Sequence, residues 1–117
     1  MLNRDRPNLL AILEAVERIQ EYTRDIATAG QYYDTPVVLD ATLMNFVVIG
    51  EMVDRLSTEL KTQYSEVDWQ KIKDFRNLVA HDYLGIDAEE VWQIIKDHLP
   101  KLQSDVDRIV ASLPENP

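Results

Sequence analysis

The sequence contains no cysteine, so disulfides and thiolate metal sites are excluded and a reducing compartment suits it. Glycine is nearly as scarce. The three that occur, Gly30, Gly50 and Gly85, are too scattered for a P-loop or a dinucleotide-binding fingerprint. With two histidines, His81 and His98, there is no His-Glu-x-x-His, no Glu-x-x-His and no calcium-loop pattern, so no metal or cofactor is expected. Basic residues are few. Twelve Lys and Arg face 21 Asp and Glu, a net charge of −9. Broad nucleic-acid binding needs cations to displace counterions, so no DNA is expected, and any role on RNA must rest on a local site or a partner. Long apolar runs are missing too. Phe46-Val47-Val48-Ile49 is far too short to span a bilayer, and the stretch from Met1 to Pro7 lacks the apolar centre of a signal peptide. These absences predict a cytoplasmic chain with no membrane segment.

What is present is helical pattern. Hydrophobic residues make up 45% of the chain, enough for the core of one domain. That domain is expected to fill residues 1–117, with its core at about 5–113 and a frayed tail at 114–117. The first helix is predicted to begin near Pro7 and stop at Gly30, with Leu9, Ile12, Leu13, Val16, Ile19 and Ile26 inward and Glu14, Glu17, Glu21 and Asp25 on a solvated face. Thr35-Pro36 opens a second helix, on which Leu39, Leu43, Phe46, Val47, Val53 and Leu56 keep the helical period. Gly50 sits inside it, where a glycine either admits another backbone closely or is merely tolerated. A third helix starts at Asp68 and ends between His81 and Gly85; a fourth starts at Asp87. Pro100 must kink or divide that last segment. The predicted fold is all-α, an antiparallel bundle of four or five helices.

One polar cluster stands at the end of the third helix: Arg76, Asn77, His81, Asp82 and Tyr83. Histidine titrates near neutral pH, and arginine offers a planar fork suited to phosphate. Together they could cut RNA without a metal, one moving a proton and the other neutralising the phosphate. A plainer reading makes Arg76 a surface cation and His81 a partner of the helix dipole. Five residues apart on a helix, Arg76 and His81 point about 140° from each other. They converge only if the helix loosens, if the arginine wraps round, or if a second subunit contributes. Asn77 shares the face of His81. Glu51 could reach the cluster if the second helix packs beside the third. Trp69 and Trp92 fall on helical stripes, as core or dimer contacts.

The run Arg76-Asn77-Leu78-Val79-Ala80-His81-Asp82-Tyr83 resembles the Arg-x-x-x-x-His-x-Tyr signature of the HepT toxins, a branch of the HEPN superfamily. Asn45 to Glu51, Val67 to Ile72, Val91-Trp92 and Leu99 to Leu102 are similar to that family's other helical segments, so the resemblance covers about residues 5 to 113. It implies a homodimeric, metal-independent endoribonuclease of a toxin–antitoxin system, in which the 2′-hydroxyl of RNA attacks the adjacent phosphate. Arg76 and His81 would be catalytic, with Asn77, Asp82 and Glu51 in support. The partner implied is an MntA-like minimal nucleotidyltransferase antitoxin that transfers AMP to Tyr83, with simple occlusion as its alternative. The rival reading is a non-catalytic binding or scaffold subunit of a nucleotidyltransferase complex. The acidic charge favours that rival, and the Arg-His pair favours the nuclease.

Overall fold

Caps and prolines set the helix boundaries. In the computed structural model, which describes residues 2–114, a single 3₁₀ turn at Leu2–Asp5 leads into α1 (Arg6–Tyr22), with Pro7 in its first turn. Two short helices, α2 (Ala29–Tyr33) and α4 (Thr58–Gln63), flank the long α3 (Pro36–Arg55). The chain continues through α5 (Trp69–His81), a 3₁₀ turn (Tyr83–Gly85), α6 (Ala88–Gln93), a π turn (Ile94–His98) and α7 (Leu99–Ser112). No strand occurs among the described residues. Four long rods therefore form the predicted all-α bundle, the last rod being α6, the π turn and α7 end to end.

The first helix does not reach Gly30. It ends at Tyr22, where the Thr23 hydroxyl donates to the Ile19 carbonyl at 2.8 Å and competes with the helical pattern. Gly30 lies inside α2, which Thr28 caps by accepting from the Gln31 backbone N–H at 3.1 Å. Pro100 does not divide the last helix either. The π turn immediately before it takes up the missing N–H donor and the ring's bulk, and the rod runs on. Of the expected tail, Pro114 has no regular structure, and residues 115–117 lie outside the described residues.

The core lies between α1, α3 and α7. Leu9, Ile12, Val16 and Ile19 meet Leu43, Ile49 and Val53 from α3 and Val106 and Ile109 from α7, all buried. Both tryptophans belong to this core. Trp69 donates its indole N–H to the Tyr64 carbonyl at 3.1 Å, and Trp92 packs on Tyr32 with centroids 5.4 Å apart. The Asp5 carboxylate is buried and accepts from the Ser57 N–H (2.7 Å) and hydroxyl (2.6 Å), tying the start of α1 to the start of α4. Glu14, Glu17, Glu21 and Asp25 face solvent as expected.

Helix α3 departs from expectation in one respect. The helix has 20 residues, and an 18-residue window of it has a mean hydropathy of 1.6, long and apolar enough by composition to cross a membrane. Counting uninterrupted apolar runs missed this, because Asn45 and Gly50 break the run without lowering the average much. Here α3 is packed between α1 and α5.

Candidate active site

The site is built where α5 lies antiparallel on α3. Asp68 caps α5 by accepting from the Lys71 N–H at 3.0 Å, which fixes where the helix begins and hence which side faces α3. Phe75 then meets Phe46 edge to face, with centroids 5.1 Å apart. One residue further on, the two helices touch most closely. A Cβ placed on Gly50 would lie 2.3 Å from the Cβ of Arg76 and 2.5 Å from its Cγ, so only glycine fits there. Gly50 thus admits the stem of an arginine side chain.

That contact aims the guanidinium along α3. Its Nη1 donates to the Glu51 carboxylate and its Nη2 to Asp54 Oδ2 at 2.6 Å. Lys73 Nζ reaches the other oxygen of Asp54 at 3.2 Å. The Arg76 hydrogen bond, with Lys73 behind it, holds the Asp54 carboxyl below its usual range, and the two carboxylates, Asp54 first, raise the affinity of Arg76 for its proton. The Arg76 side chain is only 12% exposed, and its Nε is buried without a hydrogen-bond partner among the described residues.

His81 occupies the last position of α5, exposed and without a hydrogen-bond partner among the described residues. The helix stays regular up to it, so Arg76 and His81 keep their separation of about 140°. Helix loosening does not bring them together, and the arginine's reach is spent on α3. Asn77, on the His81 face, is half-buried. Asp82 is the residue after the helix. Its carboxylate lies over Gly85, where an added Cβ would come within 2.5 Å of it, and its carbonyl accepts from the Gly85 N–H at 3.0 Å. This ties Asp82 to the turn that carries Tyr83. The exposed Tyr83 reaches back to α3 and donates its hydroxyl to Asp40.

Three carboxylates punctuate apolar α3, and all three meet groups carried by α5 or the turn after it: Asp40 with Tyr83, Glu51 and Asp54 with Arg76. Asp40 and Glu51 are about 16 Å apart along the helix, so the site is an elongated strip and not a pit. Sequence reasoning included Glu51 but missed Asp40, Asp54 and Lys73. The available signal was that acids in an otherwise apolar helix need partners. The same stripe of α3 exposes apolar side chains, with Val37 79% and Met44 62% accessible. A separate open groove of about 880 Å³ between α5 and the last rod, floored by Ile72, Phe75 and Leu102, contains none of Arg76, His81 or Tyr83.

The family model described as "Ribonuclease HepT-like" matches residues 12–109, nearly the whole bundle. The chain belongs to the HepT-like ribonuclease family. Three curated relatives show the range of likeness. A protein of Caldanaerobacter subterraneus subsp. tengcongensis named "Putative RNase TTE0752" is 30% identical over 105 residues, covering 90% of this chain and 93% of its own. "Probable ribonuclease HepT" of Thermococcus cleftensis is 26% identical over 98 residues, 84% of this chain and 88% of its own. "Gamma-glutamylcyclotransferase and putative RNase MJ0434" of Methanocaldococcus jannaschii is 30% identical over 105 residues, 90% of this chain, which spans only 47% of that longer protein. No solved structure matches the chain. In this HepT-like ribonuclease the Arg-x-x-x-x-His-x-Tyr run therefore spans the last turns of α5 and the 3₁₀ turn beyond, with Arg76 and Tyr83 turned to α3, Asp82 to its own turn and His81 exposed.

Proposed function

We propose that this HepT-like ribonuclease is the toxin of a type II HEPN–nucleotidyltransferase toxin–antitoxin pair, a cytoplasmic endoribonuclease that cuts RNA, such as a structured tRNA, without a metal. One observation carries the reading. Arg76 and His81 leave a regular helix in different directions, beside a strip of α3 whose apolar side chains have no cover. A second copy related by a two-fold axis would cover Val37 and Met44 and bring the His81 of one chain to the Arg76 of the other. The pair of histidines then supplies both a base and an acid. One imidazole takes the proton of the 2′-hydroxyl, and the oxygen attacks phosphorus. The bond to the 5′-oxygen breaks, and the second imidazole protonates that leaving oxygen. The products are a 2′,3′-cyclic phosphate and a free 5′-hydroxyl. Arg76 neutralises the phosphate as charge builds on it, with Glu51 holding the guanidinium and Asn77 beside the imidazole face. Asp82 supports this indirectly, by fixing the turn.

Tyr83 supplies the control point. Tyr83, exposed two residues after His81, is the acceptor for AMP: its hydroxyl oxygen attacks the α-phosphate of ATP held by an MntA-like nucleotidyltransferase antitoxin, and pyrophosphate leaves. The added phosphate and nucleoside would fill the cleft and compete with RNA for Arg76. The rival reading, a scaffold subunit without catalysis, draws support from the two carboxylates that neutralise Arg76 and from the charge of −9. Incubation of RNA with the purified protein in EDTA separates the two. Cleavage leaving cyclic-phosphate ends is expected, and strict dependence on added metal would contradict the mechanism. After co-expression with the partner, an intact mass increased by one adenylate on Tyr83 is expected; adducts confined to other residues would remove that assignment.

A further inference from the structure

The cluster around Arg76 has no surplus positive charge. Arg76 and Lys73 are matched by Glu51 and Asp54, in a protein that is already anionic. A phosphate approaching it meets a guanidinium that is occupied, mostly covered, and bordered by carboxylates. The two carboxylates differ. Glu51 has Arg76 as its partner, whereas Asp54 divides its oxygens between Arg76 Nη2 at 2.6 Å and Lys73 Nζ at 3.2 Å. Asp54 can therefore give up Arg76 and remain paired; Glu51 has no such second cation among the described residues. Lys73 lies one turn before Arg76 on the same helix, so the exchange needs a side-chain rotation and no helix movement.

We infer that Asp54 is a specificity-determining residue that competes with substrate phosphate for Arg76, handing the guanidinium over only to RNA that is held at further points. This rests on the ribonuclease reading and adds a substrate class to it. RNA that makes several contacts displaces Asp54 onto Lys73, and short unstructured RNA does not. The residue acts through Arg76 and is not itself a catalytic group. Its removal should tighten binding, whereas a residue needed only to splint Arg76 would weaken binding when removed.

Equilibrium binding of a fluorescent ten-nucleotide unstructured RNA tests this in the His81→Ala background, where the probe is not cut. Adding Asp54→Asn is expected to tighten binding about three- to tenfold, the scale of one unit charge removed several ångströms from a phosphate in partly screened surroundings. Asp54→Glu should leave affinity within about twofold, since the charge remains. Adding Arg76→Ala to the Asp54→Asn protein should abolish the gain. Unchanged or weaker binding by Asp54→Asn, with the melting temperature retained, overturns the proposal. So does a gain that survives Arg76→Ala, because it would then reflect net charge alone. Cleavage by the wild-type protein is scored separately, so a failed ribonuclease reading is not confused with a failed role for Asp54.

Discussion

Helices α5 and α7 are almost equal in length and both amphipathic, but they are seated differently. Helix α7 buries Leu99, Val106 and Ile109, with Leu102 and Val110 packed against the same core. Helix α5 buries only Trp69 and Val79; Ile72 and Phe75 are partly covered, and an open groove separates α5 from the last rod. What α5 lacks in apolar burial it recovers in part through ions and a glycine contact to α3. The core of a small bundle thus rests on one set of helices, while the helix that carries Arg76 and His81 is attached by one face and keeps polar groups at its edge. Elements with few buried apolar contacts are the ones that open and rearrange at least cost.

Substitutions can separate these two roles. The largest expected effect is on catalysis. His81→Ala should lower RNA cleavage by about 100-fold or more, the scale of a lost general acid–base group. Its melting temperature should stay within about 2 °C, since exposed positions without partners contribute little. Ile109→Ala should behave the opposite way, costing about 2–5 kcal/mol in thermal or denaturant unfolding while the folded fraction retains its specific activity. If both variants lost stability and activity together, the division between α5 and α7 would be wrong. A smaller effect sharpens it. Gly50→Ala, which helix propensity alone would favour, should destabilise the protein by about 1–3 kcal/mol because the new Cβ overpacks the Arg76 stem. It should also reduce cleavage, since α3 and α5 must move apart. Unchanged stability and activity would show that the helices have room that the 2.3 Å approach denies.

The four rods were legible in the sequence because their stripes, caps and prolines agree: Pro7, Thr35-Pro36, Asp68 and Asp87 mark starts that the structure keeps. The short helices α2 and α4 were not, since five or six residues carry too little periodicity to register. Gly30 reads as a stop in the sequence, but the decisive residue is Thr23, whose hydroxyl turns back on its own helix. At Pro100 the sequence showed the conflict but not its resolution, since a π turn has no residue signature. For the site, α5 announced Arg76 and His81. Asp54, the partner of Arg76, and Asp40, the partner of Tyr83, could not be named until the register of α3 on α5 was known, because the pairs lie 22 and 43 residues apart in the chain.

The central claim is that Arg76 and His81 work as a pair drawn from two chains. Mixing subunits tests it most directly. Wild-type and His81→Ala proteins are unfolded together in equal amounts, refolded as a mixture and assayed for RNA cleavage. If the cleft is shared and needs both histidines, only the roughly one quarter of dimers that are wild type in both chains are active, and the mixture keeps about one quarter of the activity of the same total amount of wild-type protein. A mixture that forms the mixed dimers, shown by native mass, and keeps about one half of that activity, as independent chains would, contradicts the shared cleft.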